Sequence, residues 1–150
     1  MDAIDRKILN LLQQNAKLNS TEIGKMIGLS QSPTYERIKK LEKAGYIEGY
    51  YAQVNRKKIN KNLVVFCELS LASHSVNTIN QFEKQIQKIE SIMECHHLAG
   101  SKDYLLKIIV QDIETYQKVL SEQLASIPNI SQINSAFVLN EIKNSSTFEL

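Results

Sequence analysis

Asn19-Ser20-Thr21-Glu22-Ile23-Gly24-Lys25-Met26-Ile27-Gly28-Leu29-Ser30-Gln31-Ser32-Pro33-Thr34-Tyr35-Glu36-Arg37-Ile38-Lys39-Lys40-Leu41 contains two helix signals and the punctuation between them. Asn19 is a good N-cap, and Glu22 three residues later completes a capping box. Ile23, Met26 and Ile27 form an inner face at helical spacing. Gly28 ends that helix, because glycine enters the left-handed conformation past a C-terminus at little steric cost. Ser30 or Ser32 caps the next helix. Pro33 fits only in its first turn, since deeper in it would remove a hydrogen bond. Ile38 and Leu41 mark the inner face, and Gly45 stops the helix. Upstream, Ile4, Ile8, Leu11 and Leu12 place a first helix before this pair. Three helices with a tight turn between the second and third describe a helix-turn-helix, whose third helix enters the DNA major groove.

On that reading the start of the third helix presents Ser30, Gln31, Ser32, Thr34 and Tyr35 to DNA, followed by Arg37, Lys39, Lys40 and Lys43. Gln reads an adenine edge, Ser and Thr serve as donor or acceptor, and Arg and Lys meet phosphate or guanine. Three-helix clusters also serve as plain protein-interaction modules, and a lysine run on its own is a solvated helix face. Charge favours DNA. Residues 1–60 hold 11 Lys and Arg against 6 Asp and Glu, whereas residues 61–150 hold 7 against 10. The overall charge of +2 therefore conceals a basic front and an acidic back.

Beyond Gly45, Tyr46–Val54 looks extended, and residues 55–62 are polar and basic, as a linker would be. After them the period changes. Leu63–Leu71 reads as a strand, 76–89 as a helix, 92–99 and 104–110 as strands, 113–124 as a helix and 130–142 as a last strand. The order βαββαβ is the ferredoxin-like, split βαβ arrangement. The fold class is thus α+β, with a helix-turn-helix domain over 1–54, a linker over 55–62 and a second domain over 63–150. Both helices of the second domain fall on one face of an antiparallel sheet. The other face carries too many apolar residues to stay bare, which predicts self-association.

Several function classes lack raw material. No apolar run approaches the length of a membrane span, and the acidic, already periodic N-terminus does not read as a signal peptide; a cytoplasmic protein is expected. Cys67 and Cys95 sit in apolar stretches and read as reduced packing residues. His96 and His97 point to opposite faces of a strand, and Cys95 with His97 gives too few ligands for zinc. No phosphate-binding glycine loop, nucleophile elbow or metalloprotease motif is present. The expectation is a non-enzyme without catalytic residues, metal or cofactor.

The turn Ala99-Gly100-Ser101-Lys102-Asp103-Tyr104, read as joining two central strands, offers chemistry of another kind. Backbone N–H groups at Gly100 and Ser101 suit a carboxylate, and Asp103 suits an ammonium, a combination that fits an α-amino acid. The alternative is a plain hairpin in which Asp103 bonds its own turn.

Asp2-Ala3-Ile4-Asp5-Arg6-Lys7-Ile8-Leu9, Leu29-Ser30, Glu36-Arg37-Ile38-Lys39-Lys40-Leu41-Glu42-Lys43-Ala44-Gly45-Tyr46-Ile47, Glu94-Cys95-His96 and Gly100-Ser101-Lys102-Asp103-Tyr104-Leu105-Leu106-Lys107 occur in this order. Together they resemble the Lrp/AsnC family, the leucine-responsive or feast/famine regulators, over nearly the whole chain. The resemblance implies a transcriptional regulator that binds double-stranded DNA at a palindromic operator. It implies dimers joined into tetramers, octamers or larger rings, with an amino acid effector held between dimers. The implied effector residues are Leu98, Ala99, Gly100, Ser101, Asp103 and Tyr104 at the turn, with Ala136 and Phe137 lining the side-chain pocket. Ser101 and Lys102 stand where some relatives carry an acid and an aromatic, which leaves the ligand's identity open. The rival reading is an architectural or small-molecule-binding protein in which only one of the two sites works.

Overall fold

The structure is a computed structural model that describes residues 1–150. The chain divides into two compact units: Met1–Gln53 together with Ile142–Leu150, and Val54–Glu141.

The first unit holds α1 (Ala3–Gln14), α2 (Ser20–Ile27) and α3 (Gln31–Lys43). Asp2 caps α1 and Asn19 caps α2, each by a complete capping box, with Asp5 and Glu22 as the reciprocal partners. Gly28 ends α2 at φ 78°, in the left-handed region its position requires. Ser30 stands at the N-cap of α3 but its hydroxyl makes no cap bond; Pro33 lies in the first turn as expected. Ile8, Leu9, Leu12, Ile23 and Leu41 form the core, with Ile38 and Ile47 packed against it. The extended segment Tyr46–Val54 forms no strand, because it has no ladder partner within the chain. The last residues fold onto this unit: Phe148 exchanges two hydrogen bonds with the Gln13 side chain, at 2.7 and 3.2 Å.

The second unit begins with a single 3-10 turn, Arg56–Ile59, where the sequence suggests a linker. Then follow β1 (Leu63–Leu71), α4 (Val76–Ile86), β2 (Ile92–His97), β3 (Tyr104–Val110), α5 (Ile113–Lys118) and β4 (Ile130–Phe137). The strand order β2-β3-β1-β4 is antiparallel throughout, the ferredoxin-like order. Val65, Cys67, Leu69 and Leu71 of β1 and Tyr104, Leu106, Ile108 and Val110 of β3 alternate onto the buried face, beneath Phe82 and Ile86 of α4 and Tyr116 of α5. The opposite face mixes apolar Val64, Phe66, Leu105 and Ile109 with Glu68, Glu94, His96 and Lys107.

Several boundaries differ from the sequence reading, each for a local reason. The apolar period of α4 runs on to Ile89, but the helix unwinds after Ile86 through tight turn bonds, and Ile89 stays buried outside it. The second helix is α-helical only to Lys118 and continues as a π-helical turn, Val119–Leu124. β2 stops at His97, where the Leu98 N–H donates to the Asp103 carbonyl and closes the turn. β4 ends at Phe137, since the Val138 N–H already bonds Val64 near the start of β1 and no strand remains to pair with. β2 is an edge strand, so the Ala99–Tyr104 turn joins an edge to a centre, not two central strands. Edge placement also corrects the reading of Cys95, which is exposed; Cys67 is buried, with its Sγ 2.9 Å from the Tyr116 hydroxyl.

Candidate DNA interface and effector turn

The helix-turn-helix separates its candidate residues into outward and inward groups. Gln31, Ser32 and Tyr35 are exposed on the first turns of α3, as are Lys39, Lys40 and Lys43 farther along. Ser30 is exposed just before the helix. Thr34 does not join them. It is fully buried, and its hydroxyl donates to the Ser30 carbonyl at 2.8 Å. That bond and the close approach of Gly24 in α2 make Thr34 part of the helix–helix contact, which corrects its assignment to DNA.

Arg37 is likewise diverted. Its Nη1 lies 2.7 Å from both Asp2 and Asp5, so it clasps the capping box of α1. Asp2 is held below the ordinary carboxylate range by the Asp5 N–H first and Arg37 next, and Asp5 by the Asp2 N–H and Arg37. Depressed carboxylates stabilise the fold above their unfolded pKa, and that contribution disappears as pH falls through the lower folded value. Arg37→Ala is therefore expected to lower the melting midpoint at neutral pH, with the deficit vanishing in acid. Melts recorded across that range check this; a constant deficit at all pH values would assign Arg37 to packing alone. Lys39 pairs with Glu42 at 2.8 Å and lies over the Tyr35 ring, whereas Lys40 and Lys43 carry no ion pair.

In the second unit, Gly100 and Ser101 sit at the tip of the β2–β3 turn, with no acceptor for either N–H. A Cβ built on Gly100 would meet nothing within 4 Å, and its φ is not positive, so the glycine is not required by backbone strain. The Asp103 carboxylate does not bond its own turn. One oxygen accepts from the Leu71 N–H at 2.7 Å and the other lies 2.9 Å from His74 Nε2, bracing the turn against the end of β1. These partners, the Leu71 N–H first and His74 after it, hold Asp103 below the ordinary carboxylate range. Lys102 donates to Gln132 on β4. His74 has no counterpart in the sequence reading; only its position after β1 marks it.

The remaining effector candidates are spread out. Leu98 is half-buried and Ala99 exposed beside the tip. Tyr104 is buried, its hydroxyl donating to Glu83 at 2.9 Å and its ring stacked on His97, so it supports the turn from below and faces the hollow between β2 and α4 that Glu83, Cys95 and His97 also line. Ala136 and Phe137 lie toward the far end of β4, paired with Phe66 and Val65, while the turn adjoins the Leu69–Leu71 end of β1. Being consecutive on a strand, they face opposite sides of the sheet; Phe137 packs edge-on against Tyr116. A single chain therefore does not bring them to the Gly100–Asp103 turn.

Comparison with known proteins bears on both sites. Residues 1–48 match the family described as winged helix-turn-helix DNA-binding, and residues 64–148 match the Lrp/AsnC ligand binding domain. The chain is 39% identical over 145 residues to the leucine-responsive regulatory protein of Klebsiella pneumoniae, covering 97% of this chain and 88% of that protein. The leucine-responsive regulatory protein of Escherichia coli (strain K12) gives the same figures. A transcriptional regulator from Neisseria meningitidis, solved in complex with L-Met, superposes with a TM-score of 0.95 at 30% identity over 99% of this chain and 96% of its own. An AsnC family transcriptional regulator from Agrobacterium tumefaciens gives a TM-score of 0.94 at 33% identity, covering 99% and 97%.

Proposed function

Since the chain belongs to the Lrp/AsnC family of transcriptional regulators, we propose that α3 reads a palindromic operator and that an amino acid bound at the β2–β3 turn controls the protein's assembly on DNA. The observation that carries the DNA part is the sorting of α3. Thr34 and Arg37 are committed to holding the helix in place, and Gln31, Ser32, Tyr35, Lys40 and Lys43 are left facing outward. Ser30 and Gln31 meet base edges or adjacent phosphates, and Lys40 and Lys43 meet phosphates.

The amino acid part rests on the unbonded Gly100 and Ser101 N–H groups beside the Asp103 carboxylate, which suit an α-carboxylate and an α-ammonium. Leu98 and Ala99 flank them. Ala136 and Phe137 reach such a ligand only from another copy, in keeping with a site between dimers. A two-fold dimer sets two copies of α3 on a palindrome. The division of labour follows 1–54 for DNA and 63–141 for ligand and assembly, across 55–62; residues 142–150, expected with the second domain, pack on the helix-turn-helix unit instead. No helix of the chain is long and apolar enough to cross a membrane, and a cytoplasmic, non-catalytic role fits a regulator of this family.

The test is DNA affinity as a function of salt. Lys40→Ala and Lys43→Ala should each flatten the log–log slope by ~0.9 and weaken all sequences alike. Arg37→Ala should leave the slope unchanged. Gln31→Ala should alter preference at one base pair by ~1–3 kcal/mol in a randomised-site selection. Unchanged slopes in both lysine variants would remove α3 from the phosphate backbone.

A further inference from the structure

At the end of the ferredoxin-like sheet remote from the effector turn lies a groove of about 560 Å³, within the ~300–1,000 Å³ range of small-molecule sites. It is a different place from that turn. Tyr104, at the turn end of β3, pairs with Leu69, whereas Val110 in the groove pairs with Leu63. Six residues of strand separate them, or ~20 Å.

The floor is apolar: Ile89, Val110, Val119 and Ile127, all part of the core below. The rim is charged, with Lys61 and Lys88 supplying two ammoniums and Glu90 and Glu122 two carboxylates. None of the four makes an ion pair with another or with any other residue of the chain. Charges of both signs around one small cavity, left unpaired, match a ligand that carries both signs itself.

Two further features point to a bound molecule. The Ser91 hydroxyl, in the lining, is buried with no hydrogen-bond partner, although buried polar groups are almost always satisfied. One wall is the π-helical turn Val119–Leu124, from which Val119, Glu122 and Gln123 line the groove. A π-turn gives up helical hydrogen-bond geometry and recurs at functional sites.

We infer that this groove is a second amino acid site of the ligand-binding unit. The α-carboxylate lies against Lys61 and Lys88, the α-ammonium against Glu90 and Glu122, and the side chain rests on the Ile89–Val119 floor. The inference goes beyond the effector turn and does not require it.

The experiment is calorimetric titration of the full chain with each L-amino acid in turn, and with the corresponding carboxylic acid lacking the amino group. The proteins are wild type, Lys88→Gln, Glu122→Gln and Asp103→Asn. Lys88 and Glu122 are exposed, so both groove variants should melt as wild type does. The expected result is an L-amino acid that binds Asp103→Asn with wild-type affinity at one site. That affinity should fall at least tenfold in each groove variant, and the deaminated acid should bind at least tenfold more weakly. If every isotherm is lost in Asp103→Asn and untouched in the groove variants, the groove is not a site and the turn stands alone. If no amino acid binds any of the proteins, both sites fail. Equal binding of amino acid and deaminated acid would overturn the ligand class.

Discussion

Gly24→Ala is expected to destabilise the helix-turn-helix by about 1–2 kcal/mol and to remove most of its DNA affinity. Alanine in a helix ordinarily gains ~0.8–1 kcal/mol over glycine, so the sign here is set by packing. A Cβ at position 24 would stand 2.6 Å from the Leu29 carbonyl oxygen and 3.0 Å from the Thr34 hydroxyl. The nearer atom is backbone and cannot swing aside. It belongs to the turn closed by the Leu29 N–H donating to the Gly24 carbonyl at 2.9 Å. To admit the methyl, the turn must open, and Ser30–Pro33 at the start of α3 move with it. Overpacking of this kind costs ~1–3 kcal/mol, which outweighs the propensity gain. In a unit this small, each 1 kcal/mol lowers the midpoint by ~4–8 °C. Thermal melting with a DNA titration checks the prediction. A variant that melts at or above wild type would show that the α2–α3 approach has slack.

Asp103→Asn should weaken amino acid binding at the β2–β3 turn by about 10- to 150-fold, the equivalent of ~1.5–3 kcal/mol for a charge-assisted hydrogen bond. The substitution keeps an acceptor for the Leu71 N–H and a polar group facing His74, so the brace against β1 persists. What disappears is the charge that would meet the ligand ammonium. A carboxylate has lone pairs to spare beyond its two present partners. Because the Asp103 pKa is depressed, its electrostatic contribution to folding is present above the unfolded carboxylate pKa. It fades as pH falls through the folded value. The variant should therefore differ from wild type in stability at neutral pH and converge with it in acid. DNA binding by the ligand-free protein should hardly change, as the helix-turn-helix lies in the other unit. Gly100→Ala is a useful companion, since nothing crowds that position and its backbone is not strained; loss of ligand affinity there reports on the ligand and not the fold. Equal affinities of wild type and Asp103→Asn in a Lys88→Gln background, where the groove no longer contributes, would remove Asp103 from the turn site.

Much of this architecture was legible in the residues because its determinants are local. Asn19 and Glu22 announce a helix start, and Gly28 a helix end, through bonds made within a few residues. The switch from helical spacing to Val- and Leu-rich runs after residue 62 marks the second unit for the same reason: periodicity is a property of one segment. The exposed first turn of α3, with Gln31 and Ser32, follows from the same pattern.

Tertiary structure alone decided the rest, because it depends on pairs far apart in sequence. Nothing near Arg37 says that Asp2 and Asp5, more than thirty residues away, will claim its guanidinium. Thr34 looks like a DNA-facing hydroxyl until Gly24 brings α2 against it. Asp103 has its partners at the end of β1 and three residues beyond it, about thirty positions upstream. Ala136 and Phe137 were placed with the turn by resemblance, and the register of β4 on β1 sets them at the other end of the sheet. The sequence by itself determined which elements form and which residues carry charge and hydrogen-bonding groups, since side-chain type and local spacing govern both. Only the packing of those elements decided which groups are spent on the fold and which remain free for DNA or ligand, because a side chain's availability depends on whatever the fold brings beside it.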